Sequence, residues 1–190
     1  RANTIAARSG GENIAWAQPD TRKPGHSEKL ITAVKARSFQ LAFQSIVRPN
    51  YEDHIFEAQV RLRDADGELH HPASFLPILE DLDNDSSYQL DRWVIENAFM
   101  ALENTSGRGA SEFSIVIKLT PDIKQIERLL PFIYNINSNS RLRGSNRIYF
   151  SIPEQALINQ FESAKAIVAA FNTAGCGFIL DRCQCNERSF

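Results

Sequence analysis

Ile55-Phe-Glu-Ala-Gln-Val-Arg-Leu62 is the stretch on which the reading of this 190-residue chain turns. Successive side chains of a strand point to opposite sides, so Phe56, Ala58, Val60 and Leu62 form one apolar face. Glu57, Gln59 and Arg61 line the other. An apolar face needs helices packed on it, and a polar row opposite suits a barrel whose interior end forms a site. Glu57 and Arg61 can equally serve as structural ion-pair partners of a neighbouring strand.

Working outward, a helix over about 27–37 leads into the strand-like run Phe39 to Val47, and a turn around Pro49-Asn50 leads into the quoted strand. Two helical stretches follow, about 73–82 and 86–103, the second with Leu90, Val94, Ala98 and Ala101 at helical spacing. Phe113 to Leu119 reads as a strand, with Pro121 at the first position of the helix after it. Arg147 to Ile152 is a further strand. A long helix over about 154–173 ends at Gly175, and Cys176 to Asp181 is the last strand. Strands alternating with helices predict an α/β fold with a parallel sheet of five strands. A bare parallel edge after the fifth strand leads to the expectation that further strands follow Phe190.

Polar residues gather near the C-terminal ends of these strands, where α/β folds build sites. Lys118 shares a face with Ser114 and Val116, Ser151 with Tyr149, and Asp181 with Ile179. Polar strand ends also commonly just meet solvent, so this placement alone leaves both readings open.

Composition bounds the function. With 43% hydrophobic and 23% charged residues the chain has the make-up of an ordinary globular protein. Twenty-one basic and 23 acidic residues give a net charge of −2, which argues against a generally basic nucleic-acid binder and a polybasic membrane anchor. No apolar run approaches a membrane span, and there is no secretory leader pattern. Cys176, Cys183 and Cys185 are odd in number and clustered, unlike a disulfide framework, so a reducing, cytoplasmic setting is the default expectation. Cys183-x-Cys185 lacks the second pair or nearby histidine of a zinc site. Residues 1–27 differ from the rest. Arg1 to Ala7 suits the end of a helix, Ser9-Gly10-Gly11 its stop, and Pro19, Pro24 and Gly25 a linker.

From about His26 onward, several segments taken in order resemble the EAL domain, a barrel that hydrolyses or senses cyclic di-GMP. Phe43-Gln-Ser-Ile-Val47 is similar to the first-strand Gln-Pro-Ile-Val, and Glu57-Ala-Gln-Val-Arg61 to the signature Glu-Ala-Leu-x-Arg. Pro72-Ala-Ser-Phe-Leu-Pro77 resembles Pro-x-x-Phe-Ile-Pro, and Leu90-Asp-Arg-Trp-Val94 the start of the following helix. Leu119-Thr-Pro121, Ile152-Pro-Glu154 and Leu180-Asp-Arg182 resemble later motifs. The resemblance implies a TIM-barrel-like EAL fold over residues 28–190, incomplete at its C-terminus. That segment has 163 residues (190 less the first 27), against about 250 for a full barrel. Arg1 to Trp16 is similar to the end of a GGDEF domain, so residues 1–27 are expected to be the tail of such a domain and its linker.

Active members of the family hold metal ions with the signature glutamate, an asparagine after the third strand, a glutamate on the fourth and paired aspartates on the fifth. Glu57 remains here. The other positions carry Lys118, Ser151 and Asp181-Arg182. Lys⁺ and Arg⁺ have no acceptor to offer Mg²⁺ or Mn²⁺. Two unit charges 4 Å apart interact by about 4 kcal/mol at an effective dielectric of 20, so Lys118 would repel an entering dication while neutralising Glu57. The pattern therefore predicts no catalytic residues, no metal and no cofactor.

By the same resemblance Gln44, Glu57, Gln59, Arg61, Pro72 and Asp91 are the candidate cyclic di-GMP-binding residues. Arg61 suits a bidentate phosphate contact, and Asp91 can accept two N–H bonds from a guanine edge. The likeness extends to degenerate GGDEF–EAL receptors of the FimX type. It implies a PilZ-domain or other signalling partner, type IV pilus and surface-motility control, and a homodimer as one arrangement. The alternative is a scaffold or protein-interaction domain that no longer binds the nucleotide. Gln59 in place of the signature leucine, together with Lys118, favours that alternative.

Other residues read as structural. His70-His71 is expected in a loop before Pro72, Trp16 and Trp93 as packing residues, Phe132 and Tyr134 in the core, and Asn135 to Asn146 as a solvated loop.

Overall fold

The computed structural model describes residues 26–47, 54–82, 85–105, 113–120, 122–140, 142 and 147–183. The tail and linker assigned to residues 1–27 fall almost entirely outside these residues. So do Trp16, the Pro49-Asn50 turn, Pro121 and Cys185.

Elements run α1 (His26–Lys35), β1 (Phe39–Ile46), β2 (His54–Arg63), β3 (Leu69–His70), α2 (Pro72–Leu82), α3 (Ser86–Thr105) and β4 (Phe113–Lys118). Then come α4 (Ile123–Asn139), β5 (Arg147–Pro153), α5 (Glu154–Ile158), α6 (Phe161–Thr173) and β6 (Gly177–Asp181). One sheet orders its strands β1-β2-β4-β5-β6, with β3 paired to β2 off this path. The pairs β2–β4, β4–β5 and β5–β6 are parallel. This is the α/β layout of a partial TIM-barrel-like fold, and it corrects the sequence reading in three places.

First, β1 runs antiparallel to β2, with Gln44 opposite Glu57. A parallel crossover needs a dozen or more residues, and the connection from Ile46 to His54 is too short for one. Second, there is a sixth strand. His70 lies in β3, not in a loop; it is buried, and its Nε2 sits 2.9 Å from Asp64 Oδ2. Asp64 Oδ1 also accepts the backbone N–H groups of Asp66 and Glu68, which closes the β2–β3 turn, and the His70 bond holds the Asp64 carboxyl below its usual pKa. Third, the long helix over 154–173 is two helices, broken at Asn159 and Gln160.

Smaller differences have local causes. The helix expected to open on Pro121 begins at Ile123, because Asp122 caps it by accepting the Lys124 N–H at 3.0 Å. That helix continues to Asn139 through part of the expected Asn135–Asn146 loop, since Ile126, Leu129 and Ile133 keep an apolar stripe turned inward. On the same periodicity Tyr134 falls on the outer face and is exposed, whereas Phe132 packs against the core as expected. Cys176 precedes the last strand, in the turn after α6.

The helix-side face of the sheet carries Ala58, Ile115, Ile117, Ile148, Phe150 and Ile152, all buried. They pack against the stripe Leu90, Val94, Ala98 and Leu102 of α3, the inner residues of α4, and Ile167 and Phe171 of α6. Leu102 is fully buried on this stripe, whereas Ala101, read at the same helical spacing, is half-buried. Phe150 and Phe171 stack at 4.8 Å between centroids, and Trp93 packs on Phe39 at 5.8 Å. The first pair is fully buried and the second partly so, and aromatic contacts of this kind contribute heavily to core energetics.

Helix α6 ends in a Schellman arrangement, with Gly175 at φ 74°, its N–H on Asn172 O and the Cys176 N–H on Phe171 O, both at 3.0 Å. The Asn137 side chain reaches from α4 to donate to Ala174 O. On the opposite sheet face Gly177 lies beside Tyr149 in register, and a Cβ there would sit 2.2 Å from the ring. Gly177→Ala is therefore expected to destabilise the fold by about 1–3 kcal/mol through overpacking, read as a lowered urea midpoint with unchanged slope. An unmoved midpoint would show that the ring is free to swing away.

Candidate functional site

The polar row of β2 faces a cavity of about 550 Å³. Its lining brings together Glu57, Gln59, Arg61, Pro72 and Asp91, five of the six residues singled out in the sequence, with Lys118 and Arg182. Gln44 does not line the cavity. It stands on β1 opposite Glu57, where its side-chain oxygen accepts a hydrogen bond from Gln59. Ser151 is buried at 2% exposure, level with Lys118 on the next strand, and is not part of the lining.

Parity places Glu57, Lys118 and Asp181 on one side of the curved sheet, and their charges meet. Lys118 Nζ lies 3.1 Å from Glu57 Oε2 and 3.5 Å from Asp181 Oδ2, so one ammonium joins β2 to β6. The remaining oxygens are also engaged. Glu57 Oε1 accepts from Gln59 Nε2 at 3.1 Å, and Asp181 Oδ1 accepts the Arg182 backbone N–H at 2.8 Å. Arg182 adopts φ 52°, a left-handed backbone uncommon for a residue with a side chain, and lines the cavity rim. Glu57 and Asp181 thus share the single Lys118 ammonium, while Arg182 meets Asp181 through its backbone N–H. Glu57 pairs with Lys118 in this arrangement, and Arg61 takes neutral acceptors, the Val60 carbonyl at 2.8 Å and the Gln59 side-chain oxygen.

Asp91 enters from α3 on the buried stripe, one turn before Ile95. Its Oδ2 accepts from Gln125 Nε2 at 2.7 Å, and Thr120 supplies side-chain and backbone hydrogen bonds. Burial dominates over those donors and raises the carboxyl from 3.8 to about 6. The folded chain then holds a proton between roughly pH 4 and 6 that the unfolded chain has already lost. Stability therefore falls as pH rises through that window and is flat above it. Relative to Asp91→Asn, the protein is expected to gain on the order of 2 kcal/mol between pH 7 and pH 4, measured by urea unfolding across the window. A constant difference between the two proteins would contradict the shifted carboxyl.

Thr120, Gln125 and His71 were missed in the sequence. Thr120 directly follows β4, so its strand-end position was a usable signal. Gln125 had none, because its reach to Asp91 depends on how α4 seats against α3. His71 lines the cavity just before Pro72, while His70 turns away into the β2–β3 bond with Asp64. Among the described residues, no helix is long and apolar enough to cross a membrane.

This fold and site define a barrel-type domain with its polar centre at the strand ends. A family model described as EAL domain matches residues 27–190, and the chain belongs to the EAL domain family. An uncharacterized 76.5 kDa protein from Thiocystis violacea is 41% identical over 103 residues, covering 49% of this chain and 14% of the relative. The FimX EAL domain from Pseudomonas aeruginosa bound to c-di-GMP superposes with a TM-score of 0.70 at 23% identity, covering 86% of this chain and 64% of that one. The Xanthomonas citri FimX EAL domain in complex with c-diGMP gives 0.56 at 23%, covering 80% and 58%. The PaMucR phosphodiesterase in complex with c-di-GMP gives 0.67 at 20%, covering 80% and 61%. At these identities the structural likeness speaks for the fold alone, and the chain spans less than two thirds of each of these proteins.

Proposed function

We propose that this domain binds cyclic di-GMP without hydrolysing it. The observation that carries the reading is the Lys118 ammonium seated between Glu57 and Asp181. The donor set does not fit a pair of divalent ions. One oxygen of each carboxylate accepts a protein hydrogen bond and the other pairs with the Lys118 ammonium that stands between them, and Arg182 also lines the cavity. A dication entering here would displace these donors and face the Lys118 ammonium, and two-metal hydrolysis needs both ions to activate water and stabilise the leaving oxygen.

What supports nucleotide binding is the remaining lining. Arg61 has neutral partners, leaving its charge for a phosphate, and Pro72, Leu76 and Val94 offer an apolar wall beside the polar row. The likeness to FimX EAL domains extends the proposal to a receptor that passes its signal to a PilZ-domain or other signalling protein in surface-motility control. One observation favours the second reading, a scaffold that no longer binds nucleotide: the Asp91 carboxylate already has Gln125 and Thr120 as donors, so a guanine edge must share it.

Titration calorimetry with cyclic di-GMP in EDTA, beside a product assay with Mn²⁺, separates the readings. Heat at micromolar nucleotide without metal supports the receptor. Absence of heat sinks it in favour of the scaffold, and turnover with Mn²⁺ sinks the non-hydrolysing assignment.

A further inference from the structure

Gln59 stands in the middle of the β2 polar row, and its amide is engaged at both ends. Nε2 donates to Gln44 Oε1 on β1 and to Glu57 Oε1, while Oε1 accepts from Arg61 Nη2. The other terminal nitrogen, Arg61 Nη1, donates to Val60 O at 2.8 Å. A guanidinium has five N–H donors in a fixed plane, so two tethers on different nitrogens set its orientation and leave three donors uncommitted. Among the described residues no carboxylate pairs with Arg61.

We infer that Gln59 is a positioning residue: it fixes the Arg61 guanidinium toward a phosphodiester ligand in the cavity and does not itself contact that ligand. This rests on the cyclic di-GMP reading above. The amide has the two functions the task needs. Its oxygen is an acceptor without charge, so it orients Arg61 without neutralising it, as a carboxylate would. Its nitrogen is anchored on two strands, so the acceptor is itself held in place. An apolar side chain at this position would leave Arg61 on a single backbone tether and remove a donor shared by Gln44 and Glu57. An untethered arginine must be ordered when ligand binds, at a cost equivalent to about three- to tenfold in Kd.

The test is a double-mutant cycle on the full-length protein with cyclic di-GMP, using Gln59→Leu and the nearly isosteric Gln59→Met, each alone and with Arg61→Ala. Alongside it, nitrogen-detected NMR follows the Arg61 guanidinium without ligand. Each Gln59 variant is expected to weaken binding three- to tenfold alone, to add nothing in the Arg61→Ala background, and to release the hindered rotation of the guanidinium. Losses that persist in the Arg61→Ala background would place Gln59 on the ligand and overturn the inference, as would unchanged affinity. If the unmodified protein binds no cyclic di-GMP, the functional reading has failed, and the NMR arm decides the positioning alone. Rotation freed by Gln59→Met then upholds it, and identical rotation overturns it.

Discussion

Arg61→Ala is expected to weaken cyclic di-GMP binding by about 30- to 150-fold, equivalent to about 2–3 kcal/mol. The size follows from charge. Hydrogen bonds to ionised groups are worth roughly twice neutral ones, and a planar fork can make two of them to one phosphate. Its tethers to Val60 O and Gln59 cost the guanidinium no charge, so most of its electrostatic capacity is available to the ligand. Because the contact is ionic, the affinity lost on truncation should shrink as salt is raised. Arg61→Lys should recover only part of the loss, since an ammonium keeps the charge but not the paired geometry. Calorimetry across a salt series reads all three quantities. Affinity unchanged in Arg61→Ala would remove this residue from the ligand site.

The second large effect concerns the centre of the cavity. Converting Lys118→Asn, Ser151→Glu and Arg182→Asp together should create a divalent-ion site at the centre that the proposal above assigns to the Lys118 ammonium. Removing Lys118 frees Glu57 Oε2 and Asp181 Oδ2, and Ser151 is level with Lys118 on the adjoining strand, so a carboxylate there joins the same cluster. Oxygen donors of this kind suit Mg²⁺ or Mn²⁺. With Mn²⁺ at about a hundred times its dissociation constant, the triple variant should gain about 2.7 kcal/mol of stability. Without metal it should be the less stable protein, since its carboxylates then repel. Thermal melts with and without Mn²⁺ give both numbers. A comparable Mn²⁺ stabilisation of the unmodified chain that Glu57→Gln abolishes would mean that Lys118 does not exclude metal, and the non-hydrolysing proposal would fall with it. The Glu57→Gln arm separates this centre from the Asp64, Glu68 and His70 group.

How legible this was in the sequence depended on the range of the interaction. The alternation in Ile55–Leu62 was enough to sort Glu57, Gln59 and Arg61 onto one face, because side-chain direction in a strand is a local property. The stripe of α3 and the Gly175 stop were local too. The antiparallel β1–β2 pair was legible in principle from the short connection, but the alternation of strands and helices downstream outweighed it. The break between α5 and α6 carried no proline or glycine to announce it.

For the site, Lys118 beside Glu57 could be anticipated from strand parity together with the family pattern. The Gln59 network could not. Gln59 as a departure from the signature looked unfavourable to binding, and only the placement of Gln44 opposite Glu57 gives its amide partners on two strands. Asp91 was identified by its resemblance to a family position, yet its neutral donors come from the β4–α4 connection and α4, which no spacing in the sequence links to it.

The bond from Asn137 to Ala174 O has a consequence for how the molecule breathes. It ties the last turn of α4 to the end of α6, at the Schellman turn that holds Cys176 in the interior. Neither helix end can fray without surrendering a partner on the other, so their terminal amides should open to deuterium as one cooperative unit. The far end of α4 has its own anchors, the Asp122 cap and the Gln125–Asp91 bond beside the cavity, so it is expected to open as a separate unit.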